Sequence, residues 1–164
     1  MIRILIIEDE QSAYDNLTHI LNQLDDEFVV VDWLQSVEQS IHWFETHAEP
    51  DLLFLDIQLS DDLSFKLFEH IEIKAPIIFT TAFNEFAIRA FEVNSVDYLL
   101  KPLSYEKVEK AILKYHNRKV INPIQYQNLL ARQIHQRLVE LNAPPLRVAP
   151  LVAPFHHWIA LTVF

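Results

Sequence analysis

Residues 52–56, Leu-Leu-Phe-Leu-Asp, decide the fold, because four consecutive apolar residues lead directly into an aspartate. A short run that is apolar at every position is typical of a strand covered on both faces, as strands of parallel sheets are. The run at 52–55 is one of five short strand-like segments. The other four lie at residues 3–7, 28–33, 76–80 and 96–100.

Longer segments of helical period separate and follow these runs. They lie at residues 12–24, 36–47, 64–71, 85–92 and 104–116. In the first segment the apolar residues recur at the spacing of one helical face: Leu17, Ile20, Leu21 and Leu24. Three of the other segments begin at a serine, where an N-cap is expected: Ser36, Ser64 and Ser104. Strands alternating with helices predict a doubly wound α/β fold with a parallel sheet and right-handed crossovers.

The composition excludes several classes of protein. With 164 residues, 51% hydrophobic and 22% charged, the chain suits one globular domain with an appendage. The absence of cysteine excludes disulfides and thiolate chemistry, and the absence of glycine excludes the dinucleotide fingerprint and the Walker A loop. We expect no secretion signal, no membrane span and a cytoplasmic location.

Charge is distributed unevenly along the chain. The chain has 13 Lys and Arg and 23 Asp and Glu in all. Residues 1–119 contain 10 basic and 22 acidic residues, whereas residues 120–164 contain 3 basic residues and 1 acidic residue. Nucleic acid binding requires a basic surface. We therefore expect no direct nucleic acid binding by residues 1–119.

Polar side chains follow four of the predicted strands where each strand ends. Glu8 and Asp9 follow the first strand, Asp56 the third, Thr81 the fourth and Lys101 the fifth. Ligands of doubly wound sheets bind at the carboxyl ends of the strands. We therefore expect three carboxylates, a hydroxyl and an amine to share one pocket.

This set of groups suits a divalent cation and a phosphoryl group. Carboxylates about 4 Å apart repel by roughly 4 kcal/mol at an effective dielectric of 20, and Mg²⁺ suits a site with only oxygen ligands. Asp56 could attack phosphorus to form an acyl phosphate, while Lys101 and Thr81 contact the phosphoryl oxygens. Taken singly, each residue also suits an ordinary turn or helix N-terminus.

Residues 1–119 resemble the receiver domain of bacterial two-component response regulators. That family combines an acidic pair, a phosphoacceptor aspartate, a threonine and a lysine before proline. Here they are Glu8 and Asp9, Asp56 in LLFLDIQLS, Thr81 in FTTA, and Lys101 in VDYLLKP. The stretch at 82–112, AFNEFAIRAFEVNSVDYLLKPLSYEKVEKAI, resembles the LytTR subgroup, whose receivers usually precede a β-rich DNA-binding domain.

The resemblance implies a flavodoxin-like sheet of strand order 2-1-3-4-5 and a role for each of these residues. A histidine kinase would phosphorylate Asp56, and Lys101, whose bond to Pro102 is often cis in this family, would pair with the phosphate. Thr81 and Tyr98 would form the switch pair. The Mg²⁺ ligands would be Asp9, Asp56, the main-chain carbonyl of Gln58 and, directly or through water, Glu8.

Residues 120–164 depart from the subgroup. A boundary is expected at Asn122-Pro123, followed by an amphipathic helix at 125–141, a proline-rich segment and an apolar end. This tail is too short for a complete output domain, and we expect its helix to dock on the receiver or on a second copy. His156 and His157 are adjacent, so on a strand they point to opposite faces and chelate poorly.

Three hypotheses follow. The leading one is a Mg²⁺-dependent switch that is phosphorylated by a sensor histidine kinase and changes the surface of helix 85–92, strand 96–100 and helix 104–116. Homodimers could form through that surface or through the tail. The second is a non-phosphorylated interaction or dimerisation module of the same fold. The third, a phosphatase or phosphotransferase, is disfavoured because Gln58 stands where haloacid-dehalogenase-type enzymes place an acid.

Overall fold

The computed structural model describes residues 1–83, 86, 90, 93 and 95–120. The strands are β1 (Ile2–Ile7), β2 (Phe28–Leu34), β3 (Leu52–Asp56), β4 (Ile77–Thr81) and β5 (Ser95–Leu100). The helices are α1 (Gln11–Leu21), α2 (Val37–Thr46), a 3₁₀ turn (Ser64–Lys66) leading into α3 (Leu67–His70), and α4 (Tyr105–Val120).

The five strands form one parallel sheet in the order β2-β1-β3-β4-β5. This confirms the predicted doubly wound, flavodoxin-like fold and its strand order. Each observed strand lies within one residue of its predicted bounds at either end. The sheet places the carboxyl end of β3 between those of β1 and β4, which is what brings the acidic residues together.

Both faces of the sheet are covered, which explains why the strand runs are nearly continuous in apolar residues. Alternate residues of β3 enter two different hydrophobic clusters: Leu53 and Leu55 pack with α2 and α3, whereas Leu52 and Phe54 pack with α1 and α4. All four side chains are at most 1% exposed. The core therefore has two layers with the sheet between them.

Two of the three predicted N-caps are confirmed. The Ser36 hydroxyl accepts a hydrogen bond from the Gln39 N–H at 3.1 Å, and Ser104 accepts one from the Lys107 N–H at 3.4 Å. The prediction for Ser64 is wrong, because its buried Oγ accepts no hydrogen bond from the described residues and Ser64 is itself the first residue of the 3₁₀ turn, with Leu63 in the cap position.

Helix lengths differ more from the prediction. Helix α1 ends at Leu21, after which a turn carries Leu24 against the core, and the segment 64–71 divides into the 3₁₀ turn and the single turn of α3. The predicted helix at 85–92 and the tail lie outside the described residues, apart from isolated positions. The division at residue 120 therefore stays a prediction.

Within the described part of the chain, we find no helix with the length and apolar character needed to cross a membrane.

The face of α4 that packs on the sheet can be tested with two neighbouring residues. Ile112 is 2% exposed in the core, whereas Leu113 is 55% exposed. We expect Ile112→Ala to lower the free energy of unfolding by about 2–5 kcal/mol and Leu113→Ala to change it by no more than about 0.5 kcal/mol. Urea unfolding followed by circular dichroism measures both, and equal losses would contradict this packing of the helix.

Candidate functional site

The acidic residues predicted to meet at the carboxyl end of the sheet do so. One ligand oxygen from each of Glu8, Asp9 and Asp56 lies within 4.8 Å of the other two. Glu8 and Asp56 are 4% and 5% exposed, and Asp9 is half-buried. Two buried carboxylates so close together require compensation by a cation or a proton.

Lys101 provides part of that compensation. Its Nζ donates to Glu8 Oε1 at 2.8 Å and to Asp56 Oδ2 at 2.6 Å, so one ammonium bridges two carboxylates. The Lys101 N–H also donates to the Thr81 carbonyl at 2.8 Å, which continues the β4–β5 ladder to the pocket. The Lys101–Pro102 peptide bond is cis, as the resemblance implied.

Burial and charge shift the pKa values of this cluster. Burial raises the pKa of Glu8 to about 7, although the hydrogen bond from Lys101 acts in the opposite direction, and the charge of Asp56 raises it further. Burial alone would lower the pKa of Lys101, but the hydrogen bonds to Asp56 and Glu8 outweigh it, so the pKa lies above its usual value. Lys101 is therefore a cation at neutral pH, while Glu8 titrates there.

The chain after β3 shapes the surroundings of Asp56. The Gln58 N–H donates to Asp56 Oδ1 at 3.1 Å, which leaves Oδ2 to Lys101. Gln58 and Leu63 form an isolated antiparallel bridge that closes the loop between them. Both carboxylate oxygens of Asp56 are thus oriented by a hydrogen bond.

Thr81 and Tyr98, the predicted switch pair, both bond to Phe83. Thr81 is fully buried, and its Oγ1 accepts from the Phe83 N–H at 3.2 Å. The half-buried Tyr98 ring packs on the core, and its hydroxyl donates to the Phe83 carbonyl. The two side chains are therefore connected through one residue of the segment that follows β4.

An open pocket of about 370 Å³ lies over this cluster. Its walls are Asp9, Glu10, Asp56, Gln58, Leu59, Thr81, Ala82, Phe83 and Lys101. Of the predicted site residues, Glu8 and Tyr98 do not line it: Glu8 is buried and bonded to Lys101, and the Tyr98 hydroxyl bonds to Phe83, which does line the pocket. The pocket is polar and open to solvent, and its three carboxyl side chains against one lysine suit a cation.

Beyond the predicted site residues, the pocket is lined by Glu10, Leu59, Ala82 and Phe83. Glu10 and Ala82 stand at the predicted ends of strands one and four, whereas Leu59 and Phe83 were not predicted and only their nearness to Gln58 and Thr81 could have indicated them. Trp33 lies near the end of β2, and its indole N–H donates to the main-chain carbonyl of Glu8. No motif pointed to Trp33, since this contact depends on how β1 and β2 pair.

The raised pKa of Glu8 predicts a pH dependence of stability. The unfolded chain loses this proton near the ordinary value of 4.5 and the folded chain near 7, so charged Glu8 destabilises the fold as pH rises between them. The free energy of unfolding of Glu8→Gln, relative to that of wild type, should therefore rise by about 1–3 kcal/mol between about pH 5 and about pH 8.

Urea unfolding at the two pH values, without divalent cations, measures that gain. Glu10→Gln removes the same charge from the exposed side of the turn and is the matched control. A difference between Glu8→Gln and wild type that is the same at both pH values would contradict the buried placement of Glu8.

Comparisons with known proteins agree with this geometry. Residues 4–113 match the response regulator receiver domain family. The chain is 33% identical over 148 residues to the sensory transduction protein LytT of Bacillus subtilis, covering 85% of this chain and 61% of that protein. It is 38% identical over 113 residues to LytR of Staphylococcus haemolyticus, covering 67% and 43%.

A solved structure shows the same fold. The response regulatory domain of mrkE from Klebsiella pneumoniae is 29% identical, with a TM-score of 0.60 over 70% of this chain and 95% of that one. The chain spans between two fifths and about three fifths of the length of these two curated relatives. By family match and by fold, the chain belongs to the response regulators of two-component signalling, in the LytTR subgroup, and residues 4–113 are its receiver, a signalling domain rather than a catalytic enzyme.

Proposed function

We propose that this receiver accepts a phosphoryl group on Asp56 from a sensor histidine kinase, in a reaction that depends on Mg²⁺, and then changes a protein-interaction surface. The observation that carries the proposal is the contact of Lys101 Nζ with Asp56 Oδ2 at 2.6 Å, beside the two further carboxylates. It supports a site in which carboxylates surround one aspartate and the Lys101 ammonium is in place to bind further negative charge.

The donor set fits Mg²⁺. Its oxygens lie close enough to share one ion, none is a thiolate, and the open pocket leaves room for water ligands. Asp9 and Asp56 would hold the ion, with the Gln58 carbonyl and, directly or through water, Glu8. When bound, Mg²⁺ would neutralise charge on the phosphoryl oxygens and orient the transferring group.

The transfer itself exchanges one bond to phosphorus for another. An Asp56 carboxylate oxygen forms an O–P bond while the P–N bond of the kinase phosphohistidine breaks, and the electron pair of that bond returns to the imidazole. The attacking oxygen belongs to a carboxylate, so the step needs no general base. The Gln58 N–H and the Lys101 ammonium hold its two oxygens in a defined orientation for the attack.

Phosphorylation adds negative charge at the buried Asp56 side chain. An acyl phosphate adds about −1.5 to −2 charge and three acceptor oxygens. Lys101, which already contacts Asp56, would pair with it, and Thr81 lines the same pocket. If Thr81 turns toward the phosphoryl group, it gives up its hydrogen bond from the Phe83 N–H, and the Tyr98 contact with Phe83 carries that change to β5.

The interaction surface and its partners belong to the same proposal. The proposed surface is that of β5 and α4 together with the predicted helix at 85–92, most of which lies outside the described residues, and a second copy of the chain could bind there or at the tail. Residues 1–119 contain 22 acidic and 10 basic residues, and this net negative charge argues against direct nucleic acid contact by the receiver. DNA binding in relatives of this type belongs to a separate domain, and a cytoplasmic location stays a prediction.

A labelling experiment tests the phosphoacceptor. Wild-type protein incubated with acetyl phosphate and Mg²⁺ should gain the mass of one phosphoryl group, whereas Asp56→Asn, or wild type with excess chelator, should gain none. Asp51→Asn is a matched control, because Asp51 is an exposed aspartate that immediately precedes the same strand. Intact mass spectrometry reads all four samples.

Undiminished labelling of Asp56→Asn would remove the central claim. Absence of labelling in wild type, with Mg²⁺ and a cognate kinase both supplied, would favour the alternative function. In that alternative the receiver is a non-phosphorylated interaction or dimerisation module, and the acidic cluster serves only its structure.

A further inference from the structure

Trp33 makes a polar contact with the acidic turn from the neighbouring strand. Its indole Nε1–H donates to the main-chain carbonyl of Glu8 at 2.6 Å. The ring is half-buried, near the carboxyl end of β2, where it pairs with Ile6 of β1. Nothing in the core requires an indole N–H at this position, since a phenylalanine fills much of the same space without one.

The contact lies where the main chain leaves the sheet. The β1–β2 ladder ends at the pair of Ile7 with Leu34, and the Glu8 N–H donates to the Leu34 carbonyl at 2.9 Å. With the indole bond, the N–H and the C=O of Glu8 are both held by β2. The turn at residues 8–10, which carries two of the proposed metal ligands, is therefore attached to the sheet through its backbone and not only through its side chains.

The peptide plane that Trp33 holds joins two proposed metal ligands. The Glu8 carbonyl belongs to the peptide unit between Glu8 and Asp9, and that unit is planar. Fixing its oxygen fixes the direction in which the chain enters Asp9, and with it the space that the Asp9 carboxylate can reach. A free peptide unit could rotate and carry the carboxylate away from Asp56.

A second contact holds the indole itself. The rings of Trp33 and Tyr14 stack, with centroids 4.3 Å apart and planes 17° apart. Tyr14 lies in α1, and its N–H donates to the Glu10 carbonyl at 3.1 Å. Trp33 and Tyr14 together therefore bond to both ends of the turn formed by residues 8–10.

We infer that Trp33 is a positioning residue for the divalent cation: its indole N–H sets the Glu8–Asp9 peptide plane so that the Asp9 carboxylate faces Asp56. This inference rests on the proposed function, because it presumes that these carboxylates bind Mg²⁺. The indole does not touch the ion. Removing an outer hydrogen bond of this kind lowers metal affinity by about tenfold or more.

The test removes the N–H and keeps the ring. Trp33→Phe retains an aromatic side chain for the Tyr14 stack, and 3-benzothienylalanine at position 33, in which sulfur replaces N–H, retains the full shape of tryptophan. Both should raise the Kd for Mg²⁺ about tenfold by isothermal titration calorimetry. If Trp33→Phe does not fold, the benzothienyl protein decides the outcome.

Trp43→Phe is the matched control. The Trp43 indole N–H donates to Asp32 Oδ2 at 3.0 Å, so this change also removes one indole hydrogen bond to β2, but from the cluster on the other face of the sheet. It should lower stability and leave the Kd for Mg²⁺ unchanged. A loss of affinity equal to that of Trp33→Phe would show that general destabilisation, and not positioning, is the cause.

Wild type and Asp9→Ala separate failure of this inference from failure of the proposed function. Saturable Mg²⁺ binding by wild type that is lost in Asp9→Ala supports the metal site. If wild type binds and both position-33 variants bind equally well, the positioning role is wrong while the metal site stands. If wild type shows no saturable binding, both are overturned.

Discussion

The structure of the site depends on one ammonium group between two buried carboxylates. Lys101 Nζ bonds to Glu8 and Asp56, which come from strands one and three, while Lys101 itself follows strand five. Leaving either acid buried and charged without a partner would cost several kcal/mol. Placing charges there is possible only because the strand order brings these three chain segments to one end of the sheet.

The same arrangement explains how chemistry at one aspartate could reach the protein surface. Phe83 accepts a hydrogen bond from Tyr98 through its carbonyl and donates one to Thr81 through its N–H. Phe83 is 43% exposed, so the backbone that joins these two side chains lies at the surface. A change in the position of Thr81 would therefore alter an exposed segment.

Much of the fold and of the site could be predicted from the sequence, because both depend on local patterns. Nearly continuous apolar runs identified the five strands, and the polar residues at the ends of four of them identified the pocket. The cap prediction for Ser64 is wrong because Ser64 lies inside a 3₁₀ turn that is held against the chain by a bond from its N–H to Ile57, and this bond forms only on folding.

Other features depended on pairings that no local pattern records. The bond of Glu8 to Lys101 joins residues 93 positions apart. Burial at the end of the sheet, which also depends on the whole fold, raises the pKa of Glu8 to about 7. Trp33 reaches Glu8 only because Ile6 pairs with Trp33 in the sheet. Strand register is set by the whole fold, so these contacts could not be predicted from spacing alone.

The most direct test of this account is a crystal structure of the protein with Mg²⁺ and beryllofluoride, which mimics a phosphoryl group on an aspartate. The account predicts beryllofluoride on Asp56 with Lys101 Nζ against it, and Mg²⁺ bound by Asp9 and Asp56. Beryllofluoride on another residue, or Mg²⁺ away from these carboxylates with Lys101 turned out of the pocket, would contradict it.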